Sequence, residues 1–441
     1  MKVRFQAFWD SALSSYWFVP TLMAALAIGL SFLTIYIDRT YRVETIRELG
    51  YVWTGGPEGA RALLSSVGSS MITVASLTFS VTIVALALAS SQFGPRLLRN
   101  FMRDTGNQVV LGTFIATFIY CLLILRTVHS GEVEFVPQLS VTVSLLLALA
   151  SLGVLIYYIH HIALSIQAPN VIAEVAEELF ATIDRIFPGE IGLSPEEAGQ
   201  PGDPPATGMP AQLDEPAEEV LARGAGYLQA IDNDALLHVA ARKDLILRIR
   251  HRPGEFISYR HTLVDAFPAR RVEPDIVEEI RSAFIIGWNR TPTQDVGFAI
   301  DQLVEVAVRA LSAAYNDPFT AINCIDWLGA ALIRLAKKPF PSPYRYDNSH
   351  NLRIIAANPL NFPDLVDETF DQIRQYAESS VAVRLRLLEV IAVVARNTPH
   401  EENRQALLRQ ARMIRRGSAE ELHEREDLAE VEERYRNLTD K

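Results

Sequence analysis

Apolar positions gather in four long runs before about residue 168. Beyond that point the chain turns to shorter amphipathic stretches, alternating patterns and frequent Pro and Gly. The run from Tyr16 to Ile37 is closed by Asp38 and Arg39, and Ala62 to Pro95 holds 34 residues without a formal charge. Gln108 to Leu125 and Val136 to Ile159 are separated by a tight turn at His129 to Glu134. A hydrocarbon core about 30 Å thick takes about 20 apolar residues in a helix. The pattern predicts spans over residues 16–37, 63–93, 108–125 and 136–159, the last two forming an antiparallel hairpin. The first is too long for the apolar region of a signal peptide and reads as an uncleaved span. Residues 1–168 therefore form a four-helix transmembrane domain.

Pro169 opens an amphipathic stretch from Val171 to Phe187, a connecting helix over residues 169–187. Residues 188–217 read as a flexible linker, with seven prolines between Pro188 and Pro216 and hardly an aliphatic cluster. Such a segment buries too little surface to offset its ordering entropy. Residues 218–441 read as a cytoplasmic α+β domain. Gly226 to Ile231 predicts a strand, and Asp234 to Arg242 a helix. Leu245, Leu247 and Ile249 alternate with Arg248 and Arg250, the two-residue period of a half-buried strand. Glu255 to Ser258 and His261 to Phe267 complete a small antiparallel sheet.

The remainder is read as helical. Glu273 to Trp288 is expected as one helix. Thr291-Pro292-Thr293-Gln294 has capping-box spacing and predicts a helix from there to about Ala313. Asp317 precedes Pro318 as a cap for Phe319 to Lys337, which explains that carboxylate without catalysis. Leu352 to Ala356 suggests a strand. Three helices follow, at about Pro363–Ala377, Val381–Arg396 and Glu401–Arg416. A charged helix from Glu420 to Leu438 carries a weak stripe (Leu428, Val431, Tyr435, Leu438) suited to docking on a neighbour. The fold class is mainly α, with four transmembrane helices before an α+β domain that ends in helices.

The long second span carries two small-residue stripes. Ser66, Ser69, Thr73, Ser76 and Ser80 recur at spacings of three and four, while Ala75, Thr78, Thr82, Ala85 and Ala89 lie roughly opposite. Small and hydroxyl residues let membrane helices pack closely, and they also tolerate a water-filled path. Arg96, Arg99 and Arg103 follow among apolar neighbours at the span end, suited to headgroup or anion contacts. This dense arginine loop favours a cytoplasmic location for both termini. Adjacent His160 and His161 point about 100° apart on a helix and make a poor metal pair; they read as interfacial packing. The strand face with Arg248, Arg250 and Arg252, and nearby Arg260, is the candidate site for an anionic headgroup or phosphate-bearing ligand, although a charged, solvated face is the commoner reading when only one side of a sheet is buried.

With 441 residues and a net charge of -11, the chain lacks the basic footprint of a nucleic-acid binder. It has two cysteines, too few for a disulfide framework, and no phosphate-loop, zinc-protease or nucleophile-elbow motif. No catalytic, cofactor or metal site is predicted, and an enzyme is the weakest class.

Ser91-Gln92-Phe93-Gly94-Pro95-Arg96-Leu97-Leu98, Gly226-Tyr227-Leu228-Gln229-Ala230-Ile231-Asp232, Thr291-Pro292-Thr293-Gln294-Asp295-Val296 and Asn316-Asp317-Pro318-Phe319-Thr320-Ala321 resemble a bacterial membrane-protein family, domain of unknown function twenty-two fifty-four. The resemblance implies a location in the bacterial inner membrane and supplies no activity or site residues. The sequence thus suggests an oligomeric, channel-like conduit in contact with membrane lipids, passing an ion or small anion. The alternative is a membrane-anchored sensor or scaffold whose cytoplasmic domain binds a partner or anionic ligand.

Overall fold

The computed structural model describes residues 17–40, 53–95, 104–130, 135–187, 194, 209–378 and 380–439. The chain divides into two compact units, Met1–Asn170 and Val171–Lys441.

The first unit contains α1 (Phe18–Thr40), α2 (Pro57–Phe93), α3 (Thr105–Leu125) and α4 (Gln138–Ser165). Each is long and apolar enough to cross a membrane. α3 packs against the other three, and half of its apolar window is buried, against 22% in each of the others. Gly112 makes the α1–α3 crossing close: a Cβ there would sit 3.2 Å from Pro20 Cα. Polar groups tie the bundle at several levels. Tyr120 Oη lies 3.0 Å from Thr34 Oγ1 and donates to the Ser140 carbonyl at 3.1 Å. Asp38, at the end of α1, accepts from the Leu139 and Ser140 amides at 3.0 and 2.9 Å and from Ser140 Oγ at 2.6 Å. That carboxylate caps α4 from a neighbouring helix, satisfying amides that have no partner in α4 itself. α2 runs 37 residues, about 55 Å. It stops at Gly94, whose φ of 109° is a conformation that favours glycine.

The second unit includes α5 (Ala168–Ile186), which buries Val171, Ile172, Val175, Ala176, Leu179, Thr182 and Ile183. Phe180 packs at 5.9 Å on Trp327, and Asp184 pairs with Arg334 and Lys338. The predicted connecting helix is thus built into the core of this unit.

The strands are β1 (Glu218–Leu221), β2 (Gly226–Ile231), β3 (Ile246–Ile249), β4 (Phe256–Ile257), β5 (Thr262–Phe267), β6 (Phe284–Gly287), β7 (Tyr344–Tyr346) and β8 (Leu352–Ala356). They form two sheets, β1-β5-β3-β8-β7 and β4-β2-β6, in place of the single antiparallel sheet expected. β8 pairs parallel to β3, with Leu247 opposite Ile354. A parallel pair needs a long crossover, so its partner is remote in sequence and local alternation does not reveal it. Between these strands lie α6 (Asn233–Lys243) and α7 (Pro274–Ser282).

Glu273 to Trp288 is not one helix. α7 ends at Ser282, and Phe284 to Gly287 pair with β2, Ile286 opposite Leu228. Periodicity does not separate a short apolar run from a helix turn, and the open edge of β2 decides the outcome. The next helix, α8 (Val296–Leu311), starts later than the Thr291 spacing suggested. Asp295 is its cap, accepting from the Phe298 amide at 2.9 Å. Gln294 instead bonds both backbone groups of Ile231, at 2.9 and 3.1 Å, and continues the edge of β2.

Helices complete the unit: α9 (Pro318–Ala336), α10 (Phe362–Tyr376), α11 (Val381–Arg396), α12 (Glu401–Glu421) and α13 (Arg425–Thr439). Asp317 caps α9 through the Phe319 and Thr320 amides, as the sequence predicts. α9 also has the length and hydropathy of a membrane span. Its Asp326 pairs with Arg386 and its Arg334 with Asp184, and its apolar residues are buried against α8 and α11, so it is a core helix. α13 docks on α11 and α12 through buried Val431 and Leu438, two residues of the predicted stripe.

Candidate functional site

The two stripes of α2 have separate fates. Ala75, Thr78, Thr82, Ala85 and Ala89 are buried within the first unit. Thr82 Oγ1 lies 3.0 Å from Tyr158 Oη, which donates to the Thr78 carbonyl at 3.0 Å, joining α2 to α4. Ser66, Ser69, Thr73, Ser76 and Ser80 are all exposed on the outer side of α2. Four of these hydroxyls donate back to their own helix: Ser69 to Ser66, Thr73 to Ser69, Ser76 to Ile72 and Ser80 to Ser76, at 2.8–3.1 Å. Back-bonding satisfies the donor while leaving hydroxyl oxygen lone pairs facing outward. Leu77, Val84 and Leu88, beside the stripe, are also exposed and give α2 a greasy flank. Arg96, Arg99 and Arg103 lie outside the described residues.

Near the start of α3 the structure forms a contact that sequence did not indicate. His161 Nε2 lies 2.6 Å from Asp104 Oδ2, and its ring stacks on Tyr157 with centroids 5.3 Å apart. Asp104 also accepts from the Gly106 amide and the Asn107 side chain. His160 is exposed, so the two adjacent histidines do different things.

In the second unit the predicted arginine face is largely engaged. The Arg248 guanidinium lies 5.1 Å from the Phe267 ring centroid, and Arg250 Nε is 2.6 Å from the buried Asp265. Arg252 reaches Asp364 at 3.3 Å and Glu255 at 3.8 Å. Arg260 stands exposed in a left-handed turn with φ of 64°. His251 pairs with Glu255 at 2.7 Å and stacks on His261, ring centroids 5.7 Å apart.

A second charge cluster was not legible in sequence. Arg290 contacts Asp295 at 2.8 Å and Asp301 at 2.6 Å, with Glu368 4.0 Å away. Burial and the Asp301 charge push the Glu368 carboxyl up to about 7, against the pull of Arg290. Glu368 comes from α10, 78 positions after Arg290, and only tertiary packing brings the two together. Among the described residues no group of three His, Cys, Asp or Glu side chains is arranged to hold a metal ion.

Residues 13–393 match the family described as "Predicted membrane protein (DUF2254)". The chain belongs to this family. Uncharacterized proteins of Mycobacterium tuberculosis and Mycobacterium bovis are each 31% identical to it over 441 residues, covering 98% of this chain and 81% of theirs. No solved structure matches. The family match takes in both units, and with the four apolar helices of the first it makes the chain an integral membrane protein.

Proposed function

We propose that this family member is an oligomeric, channel-like conduit of the bacterial inner membrane, with cytoplasmic termini and the second unit as its regulatory domain. One observation supports the reading most strongly. The protomer uses one face of its longest span for internal packing and leaves an unbroken hydroxyl face unpartnered. Four helices do not enclose a water path alone, so several copies share an axis, each contributing its α2 hydroxyls to the lumen. The back-bonded serines then present oxygens to passing water and ions while the aliphatic flank meets lipid or a neighbouring copy. In this arrangement Arg96, Arg99 and Arg103 attract anions at the inner mouth.

The test replaces Ser69, Thr73 and Ser76 together by leucine in protein reconstituted into liposomes. Assembly is followed by mass measurement corrected for bound lipid, and conduction by ion flux. Loss of flux from an intact ring of copies is the expected result. Loss of assembly instead makes the stripe a packing seam, and a wild-type monomer rejects the conduit. Either outcome leaves the membrane-anchored sensor as the better account.

A further inference from the structure

We propose that the second unit carries a binding site for a small phosphate-type oxyanion in the cavity where α11, α12 and α13 meet. The cavity has a volume of about 230 Å³ and is lined by Ala395, Arg396, Thr398, Arg404, Asn437 and Leu438, among others. None of its lining residues belongs to the Arg248–Arg260 face. All of its lining residues but Ala392 fall after position 393, where the family match stops.

Five arginines of these three helices are held in ion pairs. Arg384 and Arg386 on α11 engage Glu421 and Asp326, Arg409 and Arg415 on α12 engage Asp367 and Glu432, and Arg434 on α13 engages Glu389. Arg396 and Arg404 have no acidic partner among the described residues; other arginines of these helices, Arg412, Arg416 and Arg436 among them, have none either, but it is Arg396 and Arg404 that line the cavity. The chain has an excess of carboxylates, with 52 Asp and Glu against 41 Lys and Arg, yet none lines this cavity. Arg396 is exposed and Arg404 half-buried, so both heads are open to an anion from solvent. A guanidinium offers a planar fork of donors that matches phosphate oxygens.

Of the other lining groups the Asn437 amide supplies further donors, whereas Thr398 Oγ1 spends its proton on the Val394 carbonyl at 2.8 Å and serves only as a wall. The volume is below the range of about 300–1,000 Å³ usual for drug-sized ligands. That selects inorganic phosphate or a compact phosphomonoester over a dinucleotide or a polymer.

The test is isothermal titration of inorganic phosphate into the purified full-length protein in detergent at low salt. Saturable binding is expected, weakened at least tenfold by R396Q and by R404Q and unchanged by R412Q. Arg412 is an exposed α12 arginine that does not line the cavity. R404K should retain part of the affinity, because it keeps the charge and loses the fork, and so guards against misfolding of the glutamine variant. Absence of saturable heat, or equal losses in R412Q and R404Q, overturns the proposal. Competition by phosphatidic acid but not phosphatidylcholine in the same micelles assigns the phosphate to a lipid headgroup. Lack of competition assigns it to a soluble ligand.

Discussion

The Glu368 and Asp347 carboxyls are shifted in opposite directions. Burial raises the Glu368 carboxyl from 4.5 to about 7, aided by Asp301 and Asp295 and opposed by Arg290 and Arg252. Asp347 is also pushed up by burial, but amides of Asn351 and Ser349 and the Arg353 guanidinium more than offset this and hold it below the usual range. The signs follow from proton linkage. Between pH 4.5 and about 7 the unfolded chain has released the Glu368 proton and the folded chain has kept it. Stability from this group is therefore complete below pH 4.5 and is lost as pH rises through about 7. The loss is at most about 3 kcal/mol, at 1.36 kcal/mol per pKa unit. Asp347 acts in the reverse sense, losing its contribution as pH falls through its depressed folded value. Melting of Glu368→Gln from pH 4.5 to 8 should lack the decline that the wild type shows across pH 5–7. An unchanged slope would place the titration on another group.

Close helix crossings depend on particular glycines. In α9, a Cβ at Gly329 would overlap Val390 Cγ1 of α11, whereas in α2 a Cβ at Gly68 would rest at 3.7 Å from Cys121 Cβ, an ordinary contact. Alanine brings about 1 kcal/mol of helix propensity at either site. At Gly329 that gain is exceeded by overpacking, which costs about 1–3 kcal/mol. Gly329→Ala should lower the melting temperature of the second unit, and Gly68→Ala should leave the first unit unchanged or slightly firmer by circular dichroism. A tolerated Gly329→Ala would mean that α9 and α11 slide apart at little cost. The same contrast explains what sequence could reveal. Four spans, the α9 cap at Asp317 and the docking stripe of α13 were legible because each is a local pattern. β6, the parallel β3–β8 pair and the Arg290 cluster were not, since each depends on a partner brought from elsewhere in the chain. The hydroxyl stripe was visible as a pattern, but only the packed bundle showed which face of α2 was left over.

At the scale of the whole chain, α5 decides where the second unit begins. Only two residues, Ile166 and Gln167, separate the end of α4 from its start. Its apolar face nevertheless belongs to the second unit, and Phe187 beyond it packs edge-on against Phe340 at 5.0 Å. Val171, Ile172, Val175, Leu179, Ile183 and Phe187 are all buried to at least 97%. Fully burying a side chain of this kind contributes about 1.5–3 kcal/mol. Six of them together rival the whole net stability of a domain, about 5–15 kcal/mol. A fragment of residues 168–441 should therefore be monodisperse and melt cooperatively. A fragment of residues 209–441, which keeps every strand but lacks α5, should expose the apolar surface that α5 covers and aggregate or melt without a sharp transition. Gel filtration and calorimetry of the two fragments test this directly. Equal stability would make α5 a connector resting on the unit; the predicted gap would make it a core element, a helix that cannot leave without unfolding its host.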